Sequence, residues 1–373
     1  MFSIIKQFLV ATSKLESSLF PFILYHNQSA LSLKHSFEGK GIVVAVANRQ
    51  VEMAAANIRL LRFLNCNIPI EVFYNGENDL NFKNRERLQQ MFSVQTRDIQ
   101  ELINDTSVKV QGWALKPFAL LFSRFTEVIL MDADVVFLQD PCILFNNLDY
   151  QRTRALFYYD RTIGGPDNRK IEWLSSLFPR PWGKRLSYSN RILAGLSREN
   201  QESGVVVVDK VARFCGLLLT CKLNSFIERE SVTYKIFYGE KETFWLGQEM
   251  IGDDYVFDPQ LTGIIGEVQN KPQSKEDATS ICGTQIVHFD EAGKILWFNQ
   301  FVLLNKNMPS STLARFENYL REPGNYTGYP DFVYCLRSAG NVFAISPHEK
   351  DLIKRIGNYW RQEKEITKNW KRF

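Results

Sequence analysis

The stretch EVILMDADVVFL, Glu127 to Leu138, decides how this chain is read. Asp132 and Asp134 sit one residue apart inside a run that is otherwise apolar. An ionised carboxylate moved into apolar surroundings is normally neutralised, paired or bound to a metal, because desolvation is costly. One reading ends a strand at Met131 and makes "DAD" a solvated turn, with Asp134 capping a following helix. Against it, Val135, Val136, Phe137 and Leu138 resume the apolar run at once, which is poor composition for an exposed turn. The weight falls on a cation site.

Upstream, GIVVAVA (Gly41 to Ala47) is a continuous β-branched run, the mark of a strand buried on both faces. Val51, Ala54, Ala55, Ile58, Leu61 and Leu64 then recur at helical spacing, and Ile70 to Tyr74 supplies a second strand closed by a turn at Asn75 and Gly76. This βαβ rhythm predicts an α/β fold with a mostly parallel central sheet flanked by helices, binding ligands at the carboxyl ends of its strands. Helices are expected over Lys83 to Phe92 and near Pro117 to Phe122, with strands at Glu127 to Met131, Ala155 to Asp160, Gly204 to Asp209 and Thr284 to Asp290. The aspartate pair falls where one of these strands ends. No GxGxxG or GxxxxGK[ST] follows any strand, so neither the usual dinucleotide fold nor a P-loop is indicated.

The polar, Gly/Pro-rich stretches DRTIGGPDNRK and PRPWGKRLSYSN read as functional loops or a lid. The expected division is an N-terminal helical or stem segment over 1–38, a catalytic domain over 39–305 and a mostly helical extension over 306–373.

Among 373 residues the formal net charge is only +4, and Lys and Arg are scattered among acids, so nucleic acid is not an expected partner. The first 25 residues are interrupted by Lys6, Lys14 and Glu16 and read as an amphipathic helix rather than a membrane span. Sequons at Asn27, Asn104 and Asn325, together with six cysteines, lean toward a secretory lumen. On that reading an anchoring segment is missing from this chain.

His288 ends the predicted strand in IVHFDEAGKILWFN. A lone strand histidine is more often a hydrogen-bonded structural residue than a ligand, but this one shares its strand-end position with the aspartates. Two hard carboxylates plus one imidazole suit Mn²⁺ better than the all-oxygen preference of Mg²⁺ or the thiolate-rich sites of structural zinc. A nucleotide-sugar diphosphate would fill the remaining positions.

The segments GKGIVVAVANRQ, IPIE (Ile68 to Glu71), LKPFALLFSRFTEVILMDADVVFLQDP, ALFYYDRT, ESGVVVVDK, GEKETFWLG and ICGTQIVHFDEAGKILWFN occur in this order between Gly39 and Asn299. In them the chain resembles the fungal MNN-type α-1,3-mannosyltransferases, glycosyltransferase family 71. The resemblance implies a GT-A-like fold, a divalent cation, and retaining transfer of mannose from GDP-mannose to a mannose-containing oligosaccharide or glycoprotein in the Golgi lumen. It also implies a membrane anchor, which is expected to lie outside this stretch of sequence. The family's DxD motif maps onto Asp132 and Asp134, and its histidine onto His288.

Other roles follow more loosely. Asn48, Arg49 and Tyr74 stand at the ends of the first two strands, where a nucleotide would lie. Lys116 either meets a phosphate or is a surface lysine at a helix start. Glu202 to Gly204 are placed to hold sugar hydroxyls, whereas Asp160 and Arg161 read equally as a structural ion pair. Glu242 is the candidate catalytic carboxylate, and Trp245 either stacks on a sugar or belongs to the core. Glu240 departs from the family's usual Asp. A nucleotidyltransferase would want a basic, Gly-rich loop after the first strand, and a glycosidase two carboxylates straddling the bond. A non-catalytic glycan-binding or scaffold subunit, or another nucleotide-sugar donor, stays open as an alternative.

Overall fold

The computed structural model describes residues 15–23, 29–103, 108–178, 182, 186, 190–270, 278–308, 311–328 and 333–370. Sequons Asn27 and Asn104, the first fourteen residues and most of the stretch 179–189 lie outside these.

The first sheet is built on β1 (Lys40–Ala45), β2 (Ile70–Tyr74), β3 (Val94–Asp98) and β4 (Glu127–Asp132). These run parallel in the order β3-β2-β1-β4. The β-branched runs of β1 and β4 are buried on both faces, as their lack of alternation requires. Helix Val51–Phe63 makes the β1-to-β2 crossover, entered through a short turn in which the Gln50 side chain accepts the Ala47 N–H at 3.1 Å. Even Glu71 in β2 is fully buried; Arg97 at 3.1 Å and the Arg124 backbone N–H at 3.2 Å satisfy its carboxylate. Beyond β4 the sheet turns mixed. β7 (Gln201–Asp209) runs antiparallel to β4 and to β6 (Ala155–Tyr159), and β8 (Val256–Phe257) closes the edge parallel to β6.

A second, antiparallel sheet follows the order β14-β15-β10-β9-β11-β12-β5. Its members are β5 (Val136–Phe137), β9 (Gly263–Asn270), β10 (Thr279–Gly283), β11 (Ile286–Phe289), β12 (Ile295–Phe298), β14 (Asn325–Gly328) and β15 (Tyr334–Ser338). β13 (Asn318–Arg321) pairs with β9 and with β16 (Phe343–Ala344). β4 therefore ends in one sheet at Asp132, and β5 begins the other at Val136. The apolar residues after Asp134 are the start of this second sheet, which is why they do not look like a solvated turn.

The tail differs from the expected helical extension. Four strands precede helix Pro347–Trp370, and the break expected near 305 is bridged by β13 pairing back onto β9. The strands are short and carry polar residues such as Asn318, Arg321 and Asn325, so apolar periodicity does not announce them. The terminal helix packs on Val51–Phe63, and Glu363 receives Arg59 at 3.1 Å and Arg87. Among the described residues no helix is long and apolar enough to cross a membrane. Cys282 and Cys335 form a disulfide between β10 and β15.

Candidate active site

The parallel register sets Ala45 beside Asp132, and the antiparallel register sets Met131 beside Val205, so Asp132 lies next to Gly204 at the start of β7. A Cβ on Gly204 would stand 2.8 Å from Glu202 Oε1, 2.9 Å from Asn299 Nδ2 and 3.1 Å from a Val135 methyl. Only glycine leaves room for this approach of two strands and the Asn299 loop. Here "ESG" adjoins "DAD".

Helix Leu115–Phe122 is buried along its whole length, and Lys116 goes in with it. Its ammonium meets Asp132 and Glu240 at 2.7 Å each and donates to Ser203 at 2.9 Å (carbonyl) and 3.0 Å (hydroxyl). The Ser203 hydroxyl in turn donates to Glu240 at 2.9 Å. Lys116 is thus an interior counter-ion rather than a surface lysine. Burial, with Asp134 and Glu240 close by, pushes Asp132 up to about 7 despite Lys116.

Asp134 is almost fully buried and forms an ion pair with Lys306, from the loop after β12. Burial alone would depress that ammonium, yet the Asp134 carboxylate holds it above its ordinary value. His288, on β11, is 1% exposed and lies flat against Trp297, ring centroids 3.9 Å apart. Neither ring nitrogen has a hydrogen-bond partner, and burial pushes the imidazole down to about 3. A neutral, buried imidazole with both nitrogens unused is chemically a metal ligand in waiting. Two carboxylates held by ammonium groups complete a donor set that fits a divalent cation. Among the described residues the structure does not bring the three together within 4.8 Å: each aspartate is paired with a lysine, and the charged groups nearest His288 are Asp160 and Arg161.

Beside this cluster, Lys241 binds Asp160 at 2.6 Å and Glu199 at 3.5 Å. Burial would raise Asp160, but Lys241 and Arg161 hold it below the usual carboxylate range. Arg161 itself donates to the Thr284 carbonyl at 2.8 Å and covers the Tyr334 ring. Glu202 accepts from Asn299 Nδ2 and the Gly204 N–H, both at 2.8 Å, through one oxygen; its second oxygen has no partner among the described residues. Burial and the nearby Asp160 raise it above the ordinary range.

Glu242 is fully buried at the start of helix Thr243–Met250, and its carboxylate is occupied on both sides. It accepts the backbone N–H of Asn200 at 2.7 Å and of Gln201 at 3.2 Å, and the indole N–H of Trp245 at 2.5 Å. Burial and Glu199 push it up to about 7. Trp245 is 0% exposed and belongs to the core, so of the two readings of this residue the sugar platform falls away. Exposed aromatic rings occur instead at Trp113 and Tyr238, centroids 4.9 Å apart, just before Lys116 and Glu240 in sequence. Gly239, at φ +75°, admits the Trp113 ring where a Cβ would stand 3.0 Å from it.

At the carboxyl ends of β1 and β2, Asn48 is half-buried and Arg49 exposed. Asn48 Oδ1 accepts from the Asn81 N–H at 3.0 Å and Asn84 Nδ2 at 2.8 Å, holding the turn after β1 against helix Phe82–Gln89. Tyr74 is 7% exposed beneath the Arg85 guanidinium. These three stand at the carboxyl ends of β1 and β2, one strand or more from the Lys116 cluster. The sequence reading missed Lys306, 172 positions from its partner, and the Ser203–Glu240–Lys116 clasp. The aromatic Trp113 so close to Lys116 was the one legible signal passed over.

The family model described as "Mannosyltransferase putative" (Mannosyl_trans3) matches residues 39–290. MNN15 of Candida albicans is 29% identical, over 79% of this chain and 44% of that protein. Alpha-1,3-mannosyltransferase MNT3 of Saccharomyces cerevisiae is 28% identical, over 76% of this chain and 49% of that protein. The chain spans about half the length of the curated relatives it matches. Among solved structures, core-mannan synthase A of Aspergillus fumigatus in its Mn/GDP form aligns with TM-score 0.39 and 10% identity, over 58% of this chain and 72% of that one.

Proposed function

Because the chain belongs to the Mannosyl_trans3 family of mannosyltransferases, we propose that it transfers mannose from GDP-mannose to a mannose-containing glycan, with retention and in an α-1,3 linkage. The observation that carries the reading is the pair of aspartates at the joint of two sheets, Asp134 buried and Asp132 partly exposed, each paired with a lysine, together with a buried imidazole whose nitrogens have no partner among the described residues. Asp132, Asp134 and His288 would hold Mn²⁺, which when bound supplies charge neutralisation for the departing diphosphate. Lys116 and Lys306, which pair with the two aspartates, would supply positive charge toward a bound diphosphate. Asn48, Arg49 and Tyr74 remain the proposed nucleotide end.

On the sugar side Glu202 is the better carboxylate. One of its oxygens has no partner among the described residues and the residue lies two positions before Gly204, whereas Glu242 pins residues 200–201 to the helix behind them. Glu242 thus serves as a positioning residue. A retaining enzyme needs no strong base opposite the leaving group. Trp113 and Tyr238 offer an apolar face to the acceptor. The Cys282–Cys335 disulfide and the exposed sequon at Asn325 favour the Golgi lumen as the working compartment.

The test is purified chain incubated with Mn²⁺, a panel of GDP- and UDP-sugars and a mannose-terminated acceptor, alongside calorimetry with GDP and UDP. GDP-mannose alone is expected to give an α-linked product, and GDP to bind more tightly than UDP. Asp134→Ala and His288→Ala are expected to abolish both turnover and the Mn²⁺ dependence of GDP binding. Equal affinity for the two nucleotides, or a folded His288→Ala protein with normal Mn²⁺ dependence, overturns the donor or the metal assignment respectively.

A further inference from the structure

We infer that Cys66 and Cys142 close a second disulfide, a redox modification site beside the aspartate segment. Cys66 lies in the turn after helix Val51–Phe63, fully buried, with its N–H donating to the Leu61 carbonyl at 3.0 Å. Cys142 lies in the short helical turn Pro141–Asn146 that follows β5 and is partly exposed. The two sulfurs are 3.0 Å apart although 76 positions separate the residues. About 1 Å of approach reaches bonding distance. Of the other unpaired cysteines, Cys221 is buried with its thiol on the Pro117 carbonyl and Cys215 is exposed.

A metal is the competing occupant, because the Asp140 carboxylate lies with both thiols within 4.8 Å. Two observations tell against it. Asp140 already accepts the Cys142 N–H at 2.9 Å, capping its own turn, and three donors fall short of the four that structural zinc takes. The Arg62 guanidinium also stands beside the pair, donating to the Cys66 carbonyl at 2.6 Å, and its charge repels a cation.

Closure needs a disulfide oxidant such as oxidised glutathione. The Cys142 thiolate, the reachable one, attacks a sulfur of the oxidant, forming a mixed disulfide and expelling one thiolate. The Cys66 thiolate then attacks Cys142 Sγ and expels the second. Two protons leave the protein thiols and end on the two departing thiolates; the protein loses two electrons and the oxidant gains them. The bond fastens the turn that leaves the aspartate segment to the helix that follows β1, tying two walls of the site.

The experiment equilibrates the full chain with oxidised glutathione, alkylates it under denaturing conditions and maps its tryptic peptides without reduction. The expected result is a peptide containing Cys66 linked to one containing Cys142, with only Cys215 and Cys221 alkylated. Cys142→Ser should lower the wild-type melting temperature by about 3 to 5 °C. Wild-type protein in which Cys282–Cys335 is linked while Cys66 and Cys142 are both alkylated overturns the inference. So does stoichiometric zinc whose removal by a chelator exposes those two thiols.

Discussion

Replacing Lys116 with Met removes a buried ammonium from between two carboxylates while nearly keeping its volume. Each contact, at 2.7 Å, has a gross attraction of about 6 kcal/mol at an effective dielectric of about 20. Much of that sum is cancelled by the desolvation the lysine no longer suffers. What remains is the cost of stranding Asp132 and Glu240. Glu240 keeps the Ser203 hydroxyl, but Asp132 keeps no other partner among the described residues. Breaking a buried pair in this way costs about 3 to 5 kcal/mol. Since 27% of the Asp132 side chain is exposed, the lower end of that range is the expectation. For a chain of this size this corresponds to a fall of about 4 to 6 °C in melting temperature at pH 8. Asp132 is already pushed up to about 7, and losing its cation raises it further, so the folded variant holds a proton that the unfolded chain releases. Stability from such a raised carboxyl is fully present below its unfolded value and is lost as pH rises through the folded one. The deficit should therefore shrink when the melt is repeated at pH 5, and Lys116→Met/Glu240→Gln should recover part of it at pH 8. A metal-free Lys116→Met protein that melts within 1 °C of wild type at pH 8 would refute the claim that this lysine is the counter-ion of the cluster.

Asp258, 6% exposed, is pushed up to about 6 by burial and by neighbouring acids. The stability linked to its proton is present below about pH 4 and lost as pH rises through 6. Asp258→Asn should thus exceed wild type by up to about 3 kcal/mol in urea unfolding at pH 8 and match it at pH 4; equal stability at pH 8 sinks this. Gly204→Ala forces its methyl against Glu202, Asn299 and Val135, and should cost about 1 to 3 kcal/mol with a clear loss of turnover. An unchanged melting curve would mean the strands can part there freely. Trp113→Ala is expected to raise the acceptor KM about 2- to 10-fold while leaving donor hydrolysis and melting unchanged; a matching loss of donor hydrolysis would place this ring on the donor side instead.

The sequence alone determined the parallel half of the fold and where its candidate aspartates sit on it. Continuous β-branched runs such as Ile42 to Ala47 can be buried only on both faces, and a carboxylate pair inside such a run demands a counter-charge. Hence β1, β2, β4 and the strand-end position of Asp132 and Asp134 were legible from local pattern. Other features were not, because they depend on which distant surfaces meet. Lys306 and Lys116 come from two separate stretches of chain, one a loop and one a helix, and nothing in a surface-like lysine of the sequence distinguishes it from an interior counter-ion. The polar strands β13 to β16 hold their place through backbone pairing with β9, β10 and one another, which no side-chain period records. Glu242 looked free in sequence, and only the folded chain brought two backbone amides and the Trp245 indole onto it. Gly204 came to lie beside Asp132, with Glu202 two positions before it, through the antiparallel register of β4 and β7. Periodicity reports whether a residue is buried; what it meets once buried is a property of the packed chain.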